Sequence, residues 1–191
     1  MNIPLFPLNT VLYPGGPLPL RVFEPRYLDM VSNSMKTNTP IGVVLIKSGN
    51  EVGPAPEVYD IGTISEISYF HKRSDGLLGI TLIGTQRFKI LEVQTNGSQL
   101  MTADISLLDN IDPIALDNDN KHLAPILENI LKQLDPPFKT IERKLDDAEW
   151  LSARLLELLP AEMDVKQSLL ECNSVAERIA KIEFILKDAK H

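Results

Sequence analysis

The chain has 191 residues, 43% of them hydrophobic and 24% charged, which is typical of a folded globular protein and excludes a disordered or fibrous chain. The formal net charge is −7, and no basic cluster is larger than the pair Lys72-Arg73, which argues against nucleic acid and an anionic membrane surface as partners. The single cysteine, Cys172, excludes an intramolecular disulfide and a four-cysteine zinc site.

The first half of the chain is predicted to consist of short strands. Nine of the ten glycines precede residue 90, and β-branched or aliphatic runs alternate with turn signals. Asp75-Gly76 and Asn96-Gly97 supply the positive φ angles that tight hairpins need. The predicted strands cover residues 11–13, 18–23, 41–46, 62–70, 77–83, 87–94 and 100–107. Short strands at this spacing indicate a barrel or a sandwich.

One helix and one long loop interrupt these strands. Pro25 stands where the first residue of a helix is expected. Apolar residues then recur at helical spacing, namely Tyr27, Met30, Val31 and Met35. Residues 48–57 contain two glycines and two prolines, and this composition predicts a long mobile loop.

The second half, which has no glycine from Ile111 onward, is predicted to be helical. A first helix over residues 116–134 is stopped by Pro136-Pro137. A second, over residues 148–159, is predicted to start at Asp146 with Glu149 and to end at Pro160.

A third helix is marked by the apolar positions Val165, Leu169 and Cys172. Ser174 and Glu177 form a capping-box pattern that opens a last helix. The apolar face of that helix is formed by Ile179, Ile182, Ile185 and Leu186. We therefore predict an α+β protein with a β-barrel over residues 1–109 and a helical bundle over residues 110–191.

Several motifs make the sequence recognisable. The opening Ile3-Pro4-Leu5-Phe6-Pro7-Leu8 continues to the run Leu20-Arg21-Val22-Phe23-Glu24-Pro25-Arg26-Tyr27. Further motifs follow in order at residues 59–67, 84–90, 158–171 and 176–179. Together they resemble the N-terminal domain of Lon-type ATP-dependent proteases, a family that also includes the Lon-like part of cereblon. The resemblance spans nearly the whole chain.

This resemblance implies a PUA-like pseudo-β-barrel followed by a helical bundle, together one Lon N-terminal-like domain. It also implies a protein-binding or peptide-binding function, in which unfolded or extended segments are recognised and passed to a proteolytic system. We expect a stand-alone member of the family, without ATPase or peptidase parts, because no Gly-x4-Gly-Lys-Ser/Thr phosphate loop occurs. The expected protein is cytoplasmic, non-catalytic and free of cofactors.

The sequence offers little evidence for a catalytic or metal-binding site. His71, His122 and His191 are far apart and lack metal-ligand spacing, so no metal site is predicted. Cys172 lies on an apolar stripe and is interpreted as a small core residue. The pair Gly15-Gly16 is more typical of a turn than of a phosphate site.

Three charged residues in the family motifs, Glu24, Arg26 and Arg87, are the candidate site. They are interpreted either as contacts for a bound peptide or as an internal ion pair in which Glu24 locks the strand-to-helix turn against one arginine. Phe88 and Arg87 face opposite sides of one strand, so Phe88 is predicted to lie in the core. Arg87 is then expected to reach water, a peptide or Glu24.

Two other functions stay open at this level. PUA-like folds elsewhere bind RNA, although the acidic balance of this chain argues against that partner. The second alternative is a small-molecule sensor or an unrecognised hydrolase that uses a pocket between barrel and bundle.

Overall fold

Seven strands and one helix make up the first 110 residues of the computed structural model, which describes residues 1–188 of the chain. In chain order they are β1 (Asn2–Leu8), β2 (Pro17–Val22), α1 (Pro25–Thr37), β3 (Ile41–Ser48), β4 (Glu57–Val58), β5 (Ile61–Lys72), β6 (Leu78–Thr95) and β7 (Met101–Leu107).

Five of these strands close into a barrel. The antiparallel order is β1-β7-β6-β5-β3, and a parallel pairing between β3 and β1, with Leu5 opposite Gly42, joins the two ends. Strands β2 and β4 add to the outside of this ring, on β6 and β3 respectively. Closure removes most of the unpaired sheet edges, which are otherwise prone to aggregate.

The interior of the barrel is filled around Phe88, whose side chain is fully buried, as predicted. Gly42 and Gly62 lie against its ring. The approach is so close that a Cβ atom at either position would come within 2.9 Å of the Phe88 Cζ. A second cluster packs Tyr27, Met30 and Val31 of α1 against the sheet. Met35, which was predicted to share this face, is 43% exposed.

Strand β6 is continuous where two strands were predicted. The register with β5 shifts at Thr85, so the expected break is a β-bulge. Gly84 beside the bulge is needed, since a Cβ there would lie 2.5 Å from the Tyr13 carbonyl oxygen. The predicted turn at Gly15-Gly16 is hydrogen-bonded to this same glycine, and Gly15 has a φ of 77°.

The N-terminal segment also differs from the prediction. Residues 2–8 form β1 despite Pro4 and Pro7, whereas residues 11–13, predicted as a strand, are buried without strand pairing. The carbonyl of Leu12 there accepts a hydrogen bond from the buried Thr63 hydroxyl at 2.5 Å.

The chain from Ile111 onward forms the second compact unit. Its helices are α2 (Leu123–Gln133), α3 (Ala148–Leu158), α4 (Met163–Glu171) and α5 (Val175–Asp188), with 3-10 turns at Asn118–Asn120 and Phe138–Thr140. Helix α3 packs against both α2 and α5, and most of its residues are buried. The predicted α+β class, a barrel followed by helices, is confirmed.

Two helix boundaries correct the sequence-based predictions, and a third agrees with them. Helix α2 starts at Leu123 because Pro125 fits only the first turn of a helix and clashes with a preceding turn. The cap of α3 is Asp147, not Asp146, since its carboxylate accepts the Glu149 N–H at 3.0 Å. The predicted cap of α5 is confirmed by the Glu177 N–H, which donates to the Ser174 hydroxyl at 3.2 Å. No helix within residues 1–188 combines the length and the apolar character that crossing a membrane requires.

Candidate functional site

The structure brings together two of the three predicted charged residues. An Arg26 guanidinium nitrogen lies 2.9 Å from the Glu24 carboxylate, just before and within the first turn of α1. The Arg26 side chain is only 4% exposed, whereas Glu24 is 18% exposed. An arginine guanidinium has several donors, so a nearly buried one can contact a carboxylate and nearby carbonyl groups at the same time.

Arg26 also connects two loops that are distant in sequence. Its guanidinium donates to the Gln99 carbonyl at 2.8 Å and to the Glu51 carbonyl at 3.2 Å. It lies over the Tyr27 ring at 4.6 Å from the ring centroid, and burial raises the pKa of that tyrosine. Tyr27 in turn stacks on Phe6 at 4.4 Å. These contacts place Arg26 at the junction of α1, the β3–β4 loop and the β6–β7 turn.

The long loop predicted to be mobile is anchored at this junction. The Glu51 carboxylate accepts the Asn9 N–H at 2.6 Å, and the Gln99 side-chain oxygen accepts the Ala55 N–H at 3.2 Å. Gln99 has a φ of 65°, so the β6–β7 turn adopts a left-handed conformation at the residue that contacts Arg26. The composition of the loop gave no signal for these long-range contacts.

The Glu24 carboxylate forms its ion pair with Arg26, whereas Arg87 contacts the segment after β7. Its side chain donates to the Asp109 carbonyl at 3.0 Å, and the residue is 3% exposed. The Arg87 carbonyl also accepts the Leu108 N–H at 2.9 Å. Arg87 therefore holds the segment that follows β7, and the carboxylate that was expected to meet it pairs with Arg26 instead.

The other candidates have structural partners. His71 stacks on Tyr69, and His122 lies 2.6 Å from the Glu183 carboxylate. Over residues 1–188, no three His, Cys, Asp or Glu side chains approach closely enough to hold a metal ion, and His191 lies outside the described residues. Cys172 caps the end of α4 and is half-buried, so its interpretation as a core residue is wrong.

The helical unit buries three cations that the sequence patterns did not reveal. Arg154, fully buried, donates to both Glu157 carboxylate oxygens at 2.7 and 2.9 Å. Arg178, 1% exposed, contacts the Glu149 carboxylate at 3.3 Å. Burial raises the pKa of that carboxyl group, while the arginine opposes the shift. Lys166, 7% exposed, donates to the Glu157 carbonyl at 3.1 Å, and burial lowers its pKa.

The barrel unit also presents an open groove beside a strand edge. This α1–β5 groove, a cavity of 490 Å³, is lined by the end of α1 and the middle of β5, namely Ser34, Met35, Asn38, Thr39, Pro40, Ile64, Glu66 and Ile67. Its apolar wall includes the exposed Met35 side chain. Clefts with apolar walls and a few polar groups are the usual form of a binding site.

Strand β5 continues past the groove without a second neighbour. Its pairing with β3 ends at Ser65, while its pairing with β6 continues to Lys72. Within residues 1–188, the sheet therefore leaves one side of residues 66–72 unpaired, and we call this segment the β5 edge. Unpaired strand edges are templates for the addition of another strand.

Two aromatic side chains project from the β5 edge into solvent. Tyr69 is 60% exposed and Phe70 is 55% exposed, although neighbouring strand residues face opposite sides. The sequence contained a signal for this pair, because adjacent aromatics cannot both face one core. Exposed aromatic side chains on a small protein are characteristic of binding surfaces.

The tip of the β5–β6 hairpin is locally basic. Arg21, Lys72 and Arg73 are exposed there, and Asp75 is the acidic residue between them. The Asp75 carboxylate lies 3.2 Å from Arg73, and a hydrogen bond from the Leu77 N–H, followed by that from Arg73, lowers its pKa. The net charge of the chain is −7, so this cluster is an exception to its general acidity.

Comparisons with known proteins agree with the geometry. The model of the ATP-dependent protease La (LON) substrate-binding domain matches residues 2–188. A Lon protease of Buchnera aphidicola subsp. Schizaphis graminum is 27% identical over 97% of the chain, and one of Cytophaga hutchinsonii is 28% identical over 92%. The chain spans about a quarter of the length of these curated relatives, 24% and 23% respectively.

Two solved structures share the fold. A Lon N-terminal domain protein from Xanthomonas campestris superposes with a TM-score of 0.75 at 32% identity, covering 95% of this chain and 96% of that one. The N-terminal domain of a Lon protease from the Mycobacterium avium complex gives a TM-score of 0.65 at 16% identity, covering 98% and 99%. At that identity the second likeness concerns the fold alone.

Proposed function

Because the chain belongs to the family of the ATP-dependent protease La (LON) substrate-binding domain, we propose that it is a non-catalytic module that binds unfolded or extended protein segments. In this proposal it acts in the cytoplasm, where it delivers such segments to a proteolytic system or modulates one. The curated relatives are named Lon proteases, and the matched region is a substrate-binding domain.

The observation that carries the proposal is the β5 edge beside the α1–β5 groove. Tyr69 and Phe70 offer apolar surface, and the strand offers unpaired backbone groups. Folded proteins keep their own backbone groups paired internally, whereas an unfolded segment can present both backbone and apolar side chains. The site is therefore suited to distinguish the two states of one substrate.

The test compares one disulfide-containing protein in its native form and in its reduced, alkylated, unfolded form. We expect binding of the unfolded form only, measured by fluorescence anisotropy or calorimetry. The double substitution Tyr69→Ala with Phe70→Ala is expected to weaken binding about tenfold, since central aromatic contacts carry much of the affinity of an interface. Leu91→Ala, at a β6 residue that is 65% exposed, is the matched control. Equal affinity for the two forms would count against the proposal.

RNA binding is a second candidate, favoured by one observation. Tyr69 and His71 stack at 5.3 Å next to the basic hairpin tip, and stacked aromatics beside cations are typical of single-stranded nucleic-acid sites. A gel shift with a uridine oligonucleotide at several salt concentrations tests it. Binding that weakens steeply with salt would support RNA as the partner.

A further inference from the structure

Resting on the proposed function, we propose that the bound segment adds to the barrel as an antiparallel strand along the β5 edge. We further infer that the preferred segment is apolar with acidic residues at its N-terminal end. Three observations support this inference. They are the alternation of backbone hydrogen bonds in the β5–β6 hairpin, the prolines of β2, and the charges at the two ends of the β5 edge.

The hairpin fixes which backbone groups of β5 face outward. The Arg73 N–H donates to the carbonyl across the turn, with an N···O distance of 2.9 Å. Hydrogen-bonded and non-hydrogen-bonded pairs alternate along an antiparallel ladder. Tyr69 and His71 therefore bond to β6, whereas Phe70 and Lys72 direct their N–H and C=O groups away from it. These two residues supply the donors and acceptors for an added strand.

The other edge of this part of the sheet is blocked by prolines. Pro17 and Pro19 pair with Ile83 and Thr81 of β6, and neither has an N–H to donate. Their backbone must face away from β6, so the outer edge of β2 lacks donors at these two positions. Strand addition is therefore favoured at β5 and disfavoured at β2.

The side chains of the added strand would alternate between two environments. Phe70 shares its face with Ile80, its partner in β6, and the same face continues through the partly buried Ile67. Ile67 also lines the α1–β5 groove together with Met35. Every second side chain of the segment would lie on this apolar face, which selects for aliphatic or aromatic residues at alternate positions.

Charge defines the direction and the composition of the segment. Lys72 and Arg73 stand at the end of β5, while Glu66 stands at the groove. An antiparallel segment has its N-terminal end beside Lys72, so acidic residues there meet the basic tip and avoid Glu66. Antiparallel addition continues the pattern that β5 already forms with β3 and β6, and antiparallel pairs are slightly more stable than parallel ones.

The experiment measures the affinity of the full chain for four short peptides with one alternating Val/Thr core. One carries two aspartates at its N-terminus, one carries them at its C-terminus, one carries two lysines at its N-terminus, and one is the first peptide N-methylated at alternate backbone nitrogens. We expect the N-terminal aspartate peptide to bind best. N-methylation of the nitrogens that face β5 is expected to reduce affinity about tenfold or more, because each methyl removes a donor and blocks pairing.

The matched protein variants are Lys72→Glu with Arg73→Glu, and Lys89→Glu as the control. Lys89 is an exposed lysine in the other half of β6. The first variant is expected to lose about tenfold in affinity for the aspartate peptide and to gain affinity for the lysine peptide. The control is expected to change neither. Circular dichroism confirms that each variant is folded.

The outcomes separate the two proposals. If the unfolded test protein binds but N-methylation or the position of the charges has no effect, strand addition is overturned and the binding function stands. If neither the peptides nor the unfolded protein bind, both fail. A uridine oligonucleotide that binds more tightly than every peptide and competes with them would also overturn the inference.

Discussion

The Glu24 carboxylate lies 2.9 Å from an Arg26 guanidinium nitrogen that also donates to the Glu51 carbonyl. This nitrogen therefore links the turn between β2 and α1 to the loop between β3 and β4. The same guanidinium reaches the Gln99 carbonyl, 73 positions away in sequence. Removal of either charged partner is therefore expected to loosen several parts of the barrel unit at once.

We predict that Arg26→Ala destabilises the barrel unit by about 3 kcal/mol, because it leaves a carboxylate and two carbonyls without their donor. Glu24→Gln, at a partly exposed position, is expected to cost about 1 kcal/mol. The double mutant should lose less than the sum of the two single losses, since the residues share one contact. Urea unfolding followed by far-ultraviolet circular dichroism measures all three.

Arg87 provides the control for this comparison of single and double mutants. Arg87→Ala is expected to cost about 1–3 kcal/mol, because a buried guanidinium is removed and the Asp109 carbonyl loses its donor. Its effect should add to that of Glu24→Gln, since the two residues have different partners. A coupling between Glu24 and Arg87 as large as that between Glu24 and Arg26 would contradict the structural assignment.

Phe88→Ala is predicted to destabilise the barrel unit by about 3–5 kcal/mol, the usual cost of truncating a fully buried aromatic residue. The substitution leaves a cavity against Gly42 and Gly62, neither of which has a side chain to fill it. Leu91→Ala, at a residue 65% exposed, should change stability by less than about 0.5 kcal/mol. Comparable losses for the two variants would show that Phe88 is not central to the core.

Lys166 predicts a pH dependence of the helical unit. Burial lowers the pKa of this lysine below its ordinary value of 10.5. At pH values between the lowered pKa and 10.5, the folded state therefore binds fewer protons than the unfolded state. The wild-type chain should therefore gain stability as pH rises from neutral toward 10.5, and lose it as pH falls through the lowered pKa.

Lys166→Met has no such proton to release. Its stability relative to wild type should be highest near neutral pH and should decline toward pH 10.5. Trp150 is the one tryptophan of the chain and lies in α3, so its fluorescence reports the unfolding of this unit. A difference between the two proteins that stays constant across this pH range would refute the prediction.

We expect the purified protein neither to hydrolyse ATP nor to cleave unfolded casein. The sequence has no Gly-x4-Gly-Lys-Ser/Thr phosphate loop, and the family match is to a substrate-binding domain. Phosphate release and casein fragments measure the two activities, in a preparation from a host that lacks its own Lon protease. Turnover that scales with the concentration of the chain would show that the proposed non-catalytic function is wrong.

Local signals predicted much of the fold. Pro25 marked the first residue of α1, Ser174 with Glu177 marked the start of α5, and Phe88 was assigned to the core from its place in a strand. Each of these features depends on residues a few positions apart, such as a cap, a fixed φ angle or the alternation of a strand. The ordered motifs added the family, which the comparisons confirmed.

Partner choice was decided by the tertiary structure alone. The sequence placed one carboxylate and two arginines in motifs, but only the folded chain shows that Glu24 meets Arg26 and that Arg87 meets the Asp109 carbonyl. The tertiary structure also decided the parallel pairing that closes the barrel through β1. This segment contains prolines and was not predicted to be a strand. Such contacts join residues that are far apart in sequence, and their geometry depends on the packing of the whole unit.

The sequence determined one feature of the β5 edge, and the tertiary structure determined another. The sequence determined that Tyr69 and Phe70 are adjacent in a strand and therefore face opposite sides. Whether another strand covers that edge was decided by where β3 stops pairing, at Ser65, and the sequence of β5 does not encode that limit. An exposed edge is a property of the neighbours of a strand, so only the tertiary structure reveals it.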